Sequence, residues 1–107
     1  MRHLVDQLIM DVRQLVNGES SKIEDVSNVL TEINRHLNWG WSITSFEKTH
    51  LADAEMEIAK WICSNSSNIN ISTLMIREKL WKMDNLLKNP SKMKPFNYYW
   101  NSIKHSY

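Results

Sequence analysis

Four stretches of this 107-residue chain carry apolar residues at intervals of three and four, the period of an α-helix and not of a strand. Residues 2 to 17 place Leu4, Val5, Leu8, Ile9, Val12, Leu15 and Val16 on one narrow face, which predicts an amphipathic helix. Asn17-Gly18 supplies a left-handed residue to end it, and Ser21 with Glu24 three positions later has the spacing of a capping box for a second helix. That second helix runs to about Leu37, with Ile23, Val26, Val29, Leu30, Ile33 and Leu37 inward, so the pair reads as an αα-hairpin.

Asn38-Trp39-Gly40-Trp41-Ser42 combines turn residues with two indoles, and the chain is expected to reverse there. Ser45 stands where a cap is needed for a third helix, from about Phe46 to Cys63. Leu51, Ala54, Ile58, Trp61 and Ile62 face inward on it, and Asp53, Glu57 and Lys60 lie roughly opposite. Residues 64 to 71 form a polar connection, and Ser72 is the expected cap of a fourth helix over about 73 to 88. Its stripe is Ile76, Leu80, Met83 and Leu87, while Leu74 and Trp81 project from nearly the other side. A helix apolar on two faces either sits centrally or offers its second face to a partner. Asn89-Pro90 stops it, and Lys94-Pro95 introduces a short final helix carrying Phe96, Tyr99, Trp100 and Ile103. The expectation is an all-α fold, one domain over 1–107, built as a compact bundle of about five helices.

Hydrophobic residues make up 42% and charged residues 23% of the chain, so neither a disordered nor a fibrous class is indicated. The formal net charge of +1 conceals an asymmetry. Residues 1–63 hold ten acidic and six basic residues, net −4, and residues 64–107 hold two acidic and seven basic ones, net +5. If packing gathers these charges into patches, the acidic one suits a basic protein and the basic one suits phosphates or an acidic protein; solvated helix faces are the plainer alternative. The opening residues lack the apolar core of a signal peptide, no apolar run is long enough to span a bilayer, and lone Cys63 has no partner for an internal disulfide. A cytoplasmic protein with no membrane role is expected.

The sequence offers little for catalysis. Glu47-Lys48-Thr49-His50 has the Glu-x-x-His spacing of four-helix carboxylate metal sites, but those need the pair twice plus two further Glu, and one copy is present. Asp53, Glu55 and Glu57 invite an acid–base reading, yet the face shared by Asp53 and Glu57 looks exposed, and exposed carboxylates are not tuned for proton transfer. They read better as an acidic docking patch. Cys63, beside Trp61 and Ile62, reads as a buried structural thiol. Phosphate loops, dinucleotide fingerprints, zinc spacings and nucleophile elbows are missing, so no enzyme, cofactor or metal is expected. Lys92 and Lys94, with Phe96, Tyr98, Tyr99 and Trp100, interleave cations and aromatics as single-strand binders do, which keeps a nucleic-acid reading open.

Five Trp and three Tyr are many for a small helical core, and Trp39, Trp41 and Trp81 are the candidates to face a partner. In size, composition and organisation across its whole length, the chain resembles the helical immunity proteins of colicins and of contact-dependent growth inhibition systems. The resemblance implies a monomer that forms a heterodimer with a protein toxin, the C-terminal domain of an effector and often a nuclease, and occludes its active site or an adjacent surface. In this chain the acidic contacts would fall on Glu47, Asp53, Glu55 and Glu57 and the anchors on Trp39, Trp41 and Trp81. Many nuclease inhibitors are strongly acidic, whereas this chain is nearly neutral. The alternatives are a nucleic-acid-binding regulator using the basic aromatic second half and a phage-type inhibitor or adaptor.

Overall fold

In the computed structural model, which describes residues 1–40, 42–65 and 71–87 (71–73 without side chains), the chain forms α1 (Arg2–Val16), α2 (Lys22–Asn38), α3 (Ser45–Ser64) and α4 (Ile71–Leu87). These are the four long helices that the apolar period predicts. The expected fifth helix, around Phe96 to Ile103, lies outside the described residues.

The helix ends follow backbone chemistry, with three departures from expectation. Gly18 takes φ +102° after α1, a conformation open to glycine because it has no Cβ, and Gly40 takes φ +79° after α2. Ser21 precedes α2 but makes no side-chain cap, because its backbone is already helical, so the Ser21–Glu24 capping box does not form. The capping box sits instead at α3, one residue before the expected Ser45. The Glu47 N–H donates to Thr44 Oγ1 at 3.1 Å, and the Thr44 N–H donates to Glu47 Oε1 at 3.0 Å. Thr44 has the extended backbone that an N-cap needs. Ser72 is likewise inside α4, which begins at Ile71.

Two hairpins laid side by side make the bundle. α1–α2 forms one and α3–α4 the other, with α1 along α3 and α2 along α4, while α1·α4 and α2·α3 face diagonally. The alignment is fixed at both ends of the α1–α3 pair: the Arg2 guanidinium lies 4.8 Å from the Phe46 ring centroid, and Arg13 and Glu57 line one groove about three turns on. A cross-helix clamp ties α2 to α4. Asn34 Nδ2 donates to the Lys79 carbonyl at 2.9 Å, and Lys79 Nζ donates to Ser27 Oγ at 2.6 Å.

The core is the convergence of four stripes: Val5, Leu8, Val12 and Leu15 from α1; Val26, Leu30 and Ile33 from α2; Leu51, Ala54, Ile58, Ala59 and Ile62 from α3; and Ile76, Leu80, Met83 and Leu87 from α4. Burying each larger side chain contributes about 1.5–3 kcal/mol, which offsets the entropy of ordering the chain. Val16, expected inward, is exposed at the end of α1, and Trp61 is half-buried at the core's edge. Leu74 and Trp81 are exposed, so the second apolar face of α4 points away from the bundle. Among the described residues no helix is long and apolar enough to cross a membrane.

Candidate functional site

Among the described residues, grooves follow two of the helix pairs: one between α1 and α3, and on the α2–α4 pair one beside Asn34 and Lys82 and another, of about 360 Å³, beside Glu24 and Lys79. The α1–α3 groove has a volume of about 250 Å³ and an apolar floor of Ile9, Val12 and Ala54. His50, Asp53 and Glu57, three and four residues apart on one face of α3, form one wall, and Arg13 of α1 faces them. A second depression of about 270 Å³ shares Val12, Arg13 and Glu57 and continues the channel to the exposed Val16 and Asn17. At the other end Phe46 is half-exposed, held by the Arg2 cation on its face and by the His50 ring packed edge-on at 4.2 Å. The wall carboxylates are open to water. Glu57 pairs loosely with Lys60 at 3.7 Å, an exposed pair of little stabilising value.

The α2–α4 groove, about 340 Å³, is polar and cationic: Asn34, Arg35, Asn38, Lys82 and Asn85 line it, with Leu86 as its apolar member. Arg35 is held in place by an ion pair with Glu32, and its guanidinium lies 5.6 Å from the centroid of Trp39. The α1–α3 groove and this one are thus lined by different charges, Asp53 and Glu57 with Arg13 in the first and Arg35 with Lys82 in the second.

The seven candidate partner-binding residues divide cleanly. Asp53 and Glu57 are exposed on the α1–α3 groove. Trp39 is 66% exposed at the end of α2, and Trp81 is 51% exposed on the outer face of α4. Trp41 lies outside the described residues. Glu47 and Glu55 are not surface contacts. Glu47 is buried because both its backbone and its carboxylate close the α3 cap, and the Thr44 backbone N–H holds its carboxyl below the usual range against the opposing effect of burial. Glu55 has no solvent exposure at all, because it sits four residues after Leu51 and three before Ile58, on the stripe that enters the core.

The Glu47–His50 pair does not build a metal site. Glu47 is engaged by Thr44, His50 turns to Phe46 and the groove, and among the described residues no three His, Cys, Asp or Glu side chains converge. Cys63 is half-buried, and burial pushes its thiol up and away from the reactive thiolate.

Sequence reasoning missed several participants. Arg13 and His50 complete the α1–α3 groove, and Phe46 flanks it as an exposed aromatic; His50 had stood out only for its spacing from Glu47, and nothing local marked Arg13 or Phe46 as groove residues. Asp11 is a buried acid on α1, satisfied by Gln7 Nε2 at 3.1 and 3.2 Å with Lys22 Nζ at 3.9 Å. Its position three residues after Leu8 and four before Leu15 was a readable sign that it lies beside the core.

No protein-family model matches the chain, and no curated protein or solved structure is similar enough to it to count as a match.

Proposed function

We propose that this chain is a binding protein of the toxin-immunity kind, which works in the cytoplasm by covering a basic surface of a protein toxin domain with its α1–α3 face. The observation that carries the reading is the groove itself: exposed Asp53 and Glu57 stand over an apolar floor, with half-exposed Phe46 at one end and Val16 at the other. Carboxylates around an apolar strip suit a partner that presents Arg or Lys from a surface built to hold phosphate, as a nuclease cleft is. The acids steer the encounter, and the apolar floor supplies the burial that slows release. Trp39 and Trp81 have the exposure of anchor residues, but they belong to α2 and α4, so they would serve a partner that wraps beyond the groove.

The direct test is rescue. Co-expression of the chain with the toxic C-terminal domain encoded beside its gene restores growth, and the purified pair elutes as a one-to-one complex. Replacing Asp53 and Glu57 together by Lys weakens that complex by roughly a hundredfold, the scale expected when two attractive charges become repulsive. Purified chain that retains DNA or RNA and no protein would defeat the reading.

The α2–α4 groove supports a second reading, a nucleic-acid-associated regulator, because Arg35 and Lys82 stand among three Asn side chains with Trp39 beside the Arg35 guanidinium. Lys92 and Lys94, which that reading also used, lie outside the described residues. Binding to single-stranded DNA that collapses between low and moderate salt, with a shallower slope in Lys82→Ala, separates it from the first.

A further inference from the structure

The α3–α4 contact is the least extensive of the four main helix pairings, yet it encloses the most deeply buried carboxyl described in this chain. Among the described residues neither Glu55 oxygen has a hydrogen-bond partner, and Asp84 on α4 also buries an Oδ1 with no partner there. One turn away along α3 are Leu51, Ala52, Ile58 and Ala59, all buried and none able to donate a hydrogen bond from its side chain. Among the described residues Asp84 is the charged group that acts on Glu55, and it has the same sign. From α1, the other helix against α3, the buried titratable group is Asp11, already engaged by Gln7 and Lys22, while Arg13 lines the outer groove. On α2, behind α4, His36 buries its Nδ1. An ionised Glu55 would therefore have no water, no donor and no counter-charge among the described residues, the arrangement in which a carboxyl gives up its charge rather than its burial.

We propose that Glu55 is a proton-operated latch on the α3–α4 seam: the folded chain holds it as the neutral acid, taking one proton from solvent as the helices close, and returning that proton to solvent parts α4 from α3 before the rest of the bundle yields. Burial first, and the Asp84 charge second, push Glu55 from its ordinary 4.5 up to about 9, and burial raises Asp84 as well. A raised folded-state value means that the stabilisation is complete below the ordinary range and drains away as pH climbs towards 9. Across that window the folded chain binds one proton more than the unfolded one at this site, so the folding equilibrium constant falls about tenfold per pH unit. The latch does not depend on the identity of any partner, and it stands if the proposed function fails.

The test compares wild type, Glu55→Gln and Glu55→Leu in urea unfolding between pH 5 and pH 9. Wild type should lose about tenfold in folding constant per unit, and both variants, which have nothing to ionise at this position, should lose that slope. The Glu55→Leu substitution keeps the seam apolar, so this variant remains informative even if the amide leaves the seam unable to fold. Infrared difference spectra of wild type against either variant at pH 7 should show the carbonyl stretch of a protonated acid, vanishing above about pH 9. Asp84→Asn should move that disappearance to lower pH. Above it, amide exchange in α4 should accelerate before exchange in α1. Parallel pH profiles for wild type and both variants, or no acid band at pH 7, would overturn the latch. So would stabilisation of wild type, but not of Glu55→Leu, by added calcium or manganese, since the pair would then be a cation seat.

Discussion

Asp53, Glu55 and Glu57 are three acids within five residues of one helix, and they live in opposite environments. A step of two residues turns about 200° around a helix and a step of four about 40°, so Asp53 and Glu57 share the outer face of α3 while Glu55 points into the bundle. The outer pair keeps its water and forms a groove wall; the inner acid has lost water and has no donor among the described residues. Identical chemistry thus becomes a recognition surface or a protonated core residue according to angular position alone. Glu47 shows a third outcome on the same helix: a buried carboxyl that stays ionised because a backbone N–H reaches it.

The sharpest way to break this contrast is to cut both faces of α3. Ile58→Ala, beside Glu55 on the inner stripe, should cost about 2–5 kcal/mol in urea unfolding by opening a cavity in the seam. Asp53→Ala, on the outer face, should change stability by no more than about 0.5 kcal/mol in the same measurement. A large loss from Asp53→Ala would mean that the outer wall is structural and not reserved for contact.

A smaller effect separates the two buried glutamates. Thr44→Ala removes the Oγ1 acceptor of the α3 cap and should cost about 1 kcal/mol at neutral pH, read from the midpoint of chemical denaturation. Glu47 has a lowered folded-state value, so its contribution is present above its ordinary 4.5 and is lost as pH falls below it; Glu47→Gln should flatten that acid limb and leave the alkaline limb alone. Glu55→Gln should do the reverse. If both substitutions flattened the same limb, the distinction between a capped carboxylate and a dry acid would fail.

Much of the fold was legible because helical periodicity is a local property. The α4 stripe Ile76, Leu80, Met83 and Leu87 is buried as its spacing predicts, and so is the inward set Leu51, Ala54, Ile58 and Ile62 of α3. Cap positions were less legible, since Ser21, Thr44 and Ser45 are chemically close and the backbone angle entering each helix selects among them. Of the candidate contacts, Asp53 and Glu57 could be placed outward from the period, and the same period placed Glu55 inward, on the turn between Leu51 and Ile58. Reading the three acids as one patch overlooked that angle.

The sequence by itself determined four helices, most of the apolar residues on each that face the core, and where glycine must end a turn, because each of these depends on neighbours within about four residues. Only the tertiary structure decided that α1 lies along α3 and α2 along α4. That pairing set Arg13 opposite Asp53 and Glu57, gathered Arg35 and Lys82 into a separate groove, and enclosed Glu55 with Asp84. These partners come from helices far apart in the chain, and helix packing, which no local period encodes, brings them together.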